Sequence, residues 1–166
     1  MNTSYLLLGS NIGKREEHLA AAIKLTEEKT GKVIKKSSVY ETKAWGNENQ
    51  NDFLNQAVCV ETTLDAEKLL ETILNIEKQL GRERKEKWEA RTIDIDILLF
   101  NHQLINSPTI TIPHPHLQNR RFALVPLAEI AADFMHPLLQ KTVSRLLKEC
   151  PDKLEVFKLK GAVFKP

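Results

Sequence analysis

The chain has 166 residues and a formal net charge of +2, long enough for one domain with a real core and too balanced in charge for an extended nucleic-acid footprint. Its two cysteines, Cys59 and Cys150, make neither a disulfide framework nor a Cys-x-x-Cys pair, which fits a reduced, cytoplasmic setting. The only early apolar run, Tyr5-Leu6-Leu7-Leu8, is too short for a signal peptide or a membrane span, and no repeat divides residues 1–166, so a single domain with no membrane partner is expected.

Residues 4–8 read as a short buried strand, and Gly9-Ser10-Asn11 as the turn delivering the chain into a helix from about Lys14 to Thr30, with Leu19, Ala22, Ile23 and Thr26 inward. A strand-Gly-helix start invites a phosphate-loop reading. Gly9 to Gly13-Lys14 is one residue short of that spacing, and Arg15 stands where Ser or Thr must hold Mg²⁺, so the P-loop is excluded. Gly9 and Ser10 then read either as ordinary turn or as a ligand-contacting loop. Gly31 ends the helix, Val33 to Tyr40 reads as a second strand, and residues 41–52 as a polar loop whose Trp45 either anchors the loop or covers a flat ligand.

Phe53 to Glu61 alternates as a strand, with Leu54, Val58 and Val60 on one face and Phe53, Asn55 and Ala57 on the other. A ring beside a carboxamide can stack on a heterocycle and read its amide-like edge, or be no more than a packing Phe beside a wet Asn. Asp65 is a good cap for a core helix carrying Leu69, Ile73, Ile76 and Leu80, which Gly81 stops. Basic residues follow directly: Arg82, Arg84, Lys85 and Lys87, with Trp88 and Arg91. Dipole complementarity explains one or two cations after a helix C-terminus, but not the whole set, which reads as a lid over a nucleotide.

The strand Arg91 to Phe100 is the centre of the chemistry. Its alternation sends Ile93, Ile95 and Ile97 to one face and Asp94 and Asp96 to the other, with the two acids about 6.5–7 Å apart along the strand. Two carboxylates at that spacing suit Mg²⁺, which completes its octahedron with water and phosphate oxygens. A wet strand face is the plain alternative; the cations just upstream favour a polyphosphate-metal site.

Asn101-His102 reads as a turn, Leu104-Ile105 as a returning segment and Thr109 to Pro113 as a further alternating stretch. His114-Pro115-His116 has no companion Cys or His pair to complete a zinc site and reads better as a rigid His near phosphate. Asn119 is a plausible cap for a helix with Leu124, Leu127 and Ile130 inward, which puts the Arg120 cation at a helix N-terminus, where an anion would relieve it. A last short helix spans Thr142 to Cys150 with Val143, Leu146 and Leu147 inside, and the lysine-rich, alternating tail from Asp152 to Pro166 reads as an edge strand without chemistry.

Strand, helix, strand, strand, helix, strand is the order of an α+β ferredoxin-like sandwich, a largely antiparallel sheet with helices packed on one face. Leu8-Gly9-Ser10-Asn11, Phe53-Leu54-Asn55, Gly81-Arg82-x-Arg84, Arg91-Thr92-Ile93-Asp94-Ile95-Asp96, Pro113-His114-Pro115 and Arg120-Arg121-Phe122, in this order over most of the chain, resemble the 6-hydroxymethyl-7,8-dihydropterin pyrophosphokinase family. These folate-pathway enzymes move diphosphate from ATP to the pterin hydroxymethyl group and leave AMP. The resemblance implies that Asp94 and Asp96 hold two Mg²⁺ ions and that Arg82 and Arg91 neutralise charge during transfer. It implies ATP contacts from Arg84, Lys85, Trp88, Ile97, Thr111, His114 and Arg120. Thr42, Ala44, Trp45, Phe53, Asn55 and Phe122 would surround the pterin, with Phe53 and Phe122 on its two faces. Three positions depart from the family pattern: Glu89-Ala90 replaces a usual Gly-Pro, Phe53 replaces a frequent Tyr, and Trp45 stands at a variable apolar position.

A (β/α)₈ synthase fused to some relatives would need about 250 residues more, so the chain is expected to act alone and as a monomer. Two rivals stand beside this reading: another Mg²⁺-dependent transferase on the same scaffold, and a ferredoxin-like module whose basic loop holds single-stranded RNA. The second lacks the repeated aromatic platform that strand binding uses.

Overall fold

The computed structural model of the chain describes residues 1–42, 52–81 and 92–159. Its elements are β1 (Asn2–Ser10), α1 (Arg15–Thr30), β2 (Gly31–Lys36), β3 (Tyr40–Thr42), β4 (Phe53–Thr62), α2 (Ala66–Gln79), β5 (Asp94–Phe100), β6 (Ile105–Asn106), β7 (Thr111–Ile112), α3 (Arg121–Ala131), α4 (Val143–Lys148) and β8 (Val156–Lys158). The main sheet runs β5-β1-β4-β3-β8, with β2 also paired to β4, and every pairing in it is antiparallel. This is the expected α+β sandwich. Among the described residues no helix is long and apolar enough to cross a membrane.

Helices cover both faces of the sheet, not one. Leu6 and Leu8 of β1 pack with Leu19, Ala22 and Ile23 of α1 and Leu69, Ile73 and Ile76 of α2, while Tyr5 and Leu7 pack with Leu124 and Leu127 of α3 and Val143 and Leu146 of α4. A strand buried on both sides has no polar face to show, which is why Tyr5 to Leu8 reads as a continuous apolar run. Asp65 caps α2 by accepting the Lys68 backbone N–H at 2.8 Å, and Gly81 lies at φ 88° after its end, both as expected.

Other boundaries moved. β1 continues through Gly9 to Ser10, so these two residues are strand and not turn. The expected second strand splits into β2 and β3 at Ser37, whose hydroxyl takes the Ala57 backbone N–H at 2.9 Å in place of a carbonyl. One extra residue between Lys36 and Tyr40, after an earlier shift between Val33 and Lys35, moves the register so that Tyr40 faces Asn55 and Thr42 faces Phe53. Asn119 does not cap α3; Arg120 is the capping residue, and the Asp152 carboxylate takes the Arg121 backbone N–H at 3.1 Å. Asp152, at the start of the tail, thus supplies the anion at this helix start, and the tail's Val156–Lys158 segment pairs with β3 as an edge strand.

Candidate active site

Two strands away from each other in the sheet, the acids of β5 and the ring and carboxamide of β4 come to share a face through β1. Asn55 pairs with Gly9, and Gly9 with Asp94; Ala57 pairs with Leu7, and Leu7 with Asp96. Residues directly opposite one another on antiparallel strands project to the same side. The Tyr40–Asn55–Gly9–Asp94 row therefore crosses four strands on the face that α3 and α4 cover, and Thr42 and Phe53 extend it by one row. Asp94 and Asp96 are half-buried, while Ile93, Ile95 and Ile97 point into the core beneath α1 and α2.

Gly9 sits at the centre of this row because nothing larger fits. A Cβ there would lie 2.7 Å from the Asn55 side-chain oxygen and 3.5 Å from Cδ1 of Phe53. The Asn55 amide is in turn fixed by donating to Thr42 Oγ1 at 3.0 Å, with both residues buried. Sheet, glycine and threonine thus orient one carboxamide, leaving a shallow floor between it and the acids.

From the other side come α3 and the segment before it. α3 packs on β4, β1 and β3, and Phe122 in its first turn lies 5.7 Å beneath the Arg120 guanidinium. His114, held by its backbone N–H on the Leu98 carbonyl at 3.0 Å, accepts the His116 backbone N–H on Nδ1 at 3.1 Å. Burial, then the neighbouring Arg120 and His116, push its pKa down to about 4 against the opposing pull of Asp94. At neutral pH the ring is uncharged, and with Nδ1 accepting, its proton is on Nε2.

The structure thus brings Thr42, Phe53, Asn55, Asp94, Asp96, His114, Arg120 and Phe122 to one end of one sheet face. Ile97 is separate: its side chain is in the opposite core, on the outermost strand of the sheet. Thr111 is exposed in β7, which packs beside β5. Ala44, Trp45, Arg82, Arg84, Lys85, Trp88 and Arg91, and with them the basic lid, lie outside the described residues.

The model of the 7,8-dihydro-6-hydroxymethylpterin-pyrophosphokinase family (HPPK) matches residues 5–132, across all of these positions. The chain belongs to the HPPK family. It is 42% identical over 149 residues to the 2-amino-4-hydroxy-6-hydroxymethyldihydropteridine pyrophosphokinase of Aquifex aeolicus, covering 90% of this chain and 92% of that one. With the Bacillus subtilis protein of the same name it shares 46% over 130 residues, 78% of each. Among solved structures, an HPPK-DHPS complexed with substrates superposes with a TM-score of 0.75 at 18% identity, covering 89% of this chain. Plasmodium falciparum HPPK-DHPS with pteroate gives 0.74 at 19% and the same coverage. Such identities speak for the fold alone, and the chain spans less than half of those two-part chains, 43% and 44%.

Two residues that shape the strands of this face have roles that the sequence does not show locally. Gly9 was read as a turn or ligand loop, since a strand glycine cannot be told from a turn glycine without its partners. Glu77 of α2 was unremarked, although it is buried and its Oε2 takes the Ile95 backbone N–H of the edge strand at 2.8 Å. The signal was present: position 77 falls on the inward face of α2 with Ile73 and Ile76, where a carboxylate must have a partner.

Proposed function

We propose that this chain transfers diphosphate from ATP to the hydroxymethyl group of 6-hydroxymethyl-7,8-dihydropterin, giving the pterin diphosphate and AMP for folate biosynthesis. The observation that carries the reading is the shared sheet face on which Asn55 and Phe53 stand across Gly9 from Asp94 and Asp96. A flat heterocycle held at one end of that floor would direct its hydroxymethyl arm toward the acids.

Asn55 would read the pterin edge, its amide pre-oriented by Thr42, and the rings of Phe53 and Phe122 would take the two faces. The resemblance adds Ala44 and Trp45 around the ring. Neutral His114 would donate from Nε2, and Arg120 would place its cation on the polyphosphate, joined by Arg84, Lys85 and Trp88. The Ile95 backbone N–H points off the sheet edge to Glu77, and Ile97, two residues on, would present its backbone to ATP in the same direction, beside Thr111. In the transfer the pterin oxygen bonds to the β-phosphorus, its proton leaves to solvent, and the bond from that phosphorus to the AMP oxygen breaks. Arg82 and Arg91 would neutralise the oxygens that gain charge.

The donor set fits magnesium: two half-buried carboxylates on one strand face, with no thiol or third acid beside them among the described residues. Asp94 and Asp96 would hold two Mg²⁺, which when bound screen the polyphosphate and draw charge from the β-phosphorus. Both cysteines are buried and free, in keeping with a reduced cytoplasm.

Incubation with ATP, Mg²⁺ and the hydroxymethyl-dihydropterin is expected to release AMP in a pterin-dependent way. Asp94→Ala or Asp96→Ala is expected to cost at least about a hundredfold in turnover, and chelation of Mg²⁺ to stop it. Release of ADP, or turnover indifferent to the pterin, would refute the assignment.

A further inference from the structure

Arg15, at the start of α1, makes two contacts that converge on the substrate face from behind. Its Nη1 lies 2.9 Å from Oε2 of Glu41 and donates to the Asp52 backbone carbonyl at 2.8 Å. Glu41 immediately precedes Thr42, and Asp52 immediately precedes Phe53. Thr42 and Phe53 are the last pair of the β3–β4 ladder. One guanidinium nitrogen therefore joins the two strands at the end of their ladder, where pairing would otherwise be weakest.

The geometry has a side as well as a position. Glu41 pairs with Leu54, whose side chain is fully buried in the core under α1 and α2, so Arg15 reaches the ladder from the face opposite Thr42, Phe53 and Asn55. It cannot touch a ligand lying on that other face. Arg15 is also the first residue of α1, with Glu16 and Glu17 beside it, where the helix dipole disfavours a cation. The Glu41 carboxylate and the Asp52 carbonyl offset that disadvantage. Asn11, Gly13, Arg15, Glu41 and Asp52 together line a polar cavity of about 300 Å³.

We infer that Arg15 is a positioning residue for the pterin: it clamps Glu41 to Asp52, and so sets the relative placement of Thr42, which orients Asn55, and of the Phe53 ring. The inference rests on the proposed pterin reaction. The clamp is partly exposed and holds β3, which β4 and β1 separate from the Asp94 strand, so its loss weakens binding of the flat ring without altering the phosphoryl step, and the kinetic result is a raised KM at constant kcat.

The test is steady-state kinetics of the full chain and of Arg15→Ala, Arg15→Lys and Glu41→Gln, varying pterin and ATP separately. Arg15→Ala is expected to raise the pterin KM about five- to tenfold with kcat and the ATP KM within about twofold. Arg15→Lys, which retains the charge on Glu41 but not the planar fork, is expected to recover part of the loss. Glu41→Gln is expected to raise the pterin KM, and by much less once Arg15 is already Ala. A pterin KM unchanged in Arg15→Ala, or an equal change in both KM values, overturns the inference, as does a fall in kcat alone. Should Arg15→Ala fail to fold, Arg15→Lys and Glu41→Gln carry the same comparison. If the unaltered chain shows no pterin-dependent AMP release, the proposed function fails, and the positioning role with it. If it turns over normally while the variants match it, only the clamp is lost.

Discussion

Replacing Gly9 by Ala tests the central geometry, because two effects of opposite sign compete there. In the interior of an ordinary strand, Ala is favoured over Gly by about 0.5–1 kcal/mol through the entropy of the unfolded chain. Gly9 lies within β1, outside the left-handed region, so no backbone strain opposes the change. Against this stands a methyl carbon 2.7 Å from Oδ1 of Asn55, closer than the two atoms can approach. The Asn55 amide must then swing away, and its 3.0 Å bond to the buried Thr42 hydroxyl is lost. Orphaning such a buried pair costs about 1–3 kcal/mol, so with the entropic gain subtracted the net destabilisation lies between about 0 and 2.5 kcal/mol, centred on about 1 kcal/mol. Urea unfolding would report that loss, and calorimetric titration with the hydroxymethyl-dihydropterin would report roughly tenfold weaker binding if the misplaced amide costs about 1.4 kcal/mol there. Adding Asn55→Ala gives the methyl room, so the double variant should be less destabilised than the sum of the two single changes. A Gly9→Ala chain that unfolds at the same or higher urea concentration and binds pterin normally would refute the reasoning.

His114 supplies a prediction in pH. Its folded pKa of about 4 lies below the value of 6.5 in an unfolded chain, so between those values the unfolded state holds more protons and stability falls as pH drops. The slope from this group is at most about 1.4 kcal/mol per pH unit, and His114→Gln should remove it; a difference between the two proteins that stays constant from pH 7 to pH 5 in urea unfolding contradicts this. Glu77→Ala deprives the Ile95 backbone N–H of its acceptor and is expected to cost about 1–3 kcal/mol, whereas Glu77→Gln, which retains an acceptor, should cost less. Faster hydrogen exchange at the Ile95 amide in the Ala variant would accompany the loss, and unchanged exchange would count against it.

Much of the site was legible because period and chemistry coincide. Alternation in Asp94–Phe100 and in Phe53–Thr62 requires Asp94 with Asp96, and Phe53 with Asn55, to share a side of their own strands, wherever those strands lie. What failed were inferences that needed a partner. The alternation that holds Ile93, Ile95 and Ile97 in one core breaks beyond Ile97, because a register shift against β1 turns Leu98 and Leu99 both into the core under α3. The α3 cap comes from Asp152, 31 residues distant, and so could not be found by looking at residue 119.

The chain alone determined which residue types could do the chemistry and on which face of each element they would stand, since backbone periodicity is a local property. That the acidic face of β5 and the ring-bearing face of β4 are the same face of one sheet was decided only by folding. β1 inserts between them, and its glycine admits the Asn55 amide. Pairing register joins residues that no local rule connects, and one residue of slip would have turned the two halves of the site to opposite sides.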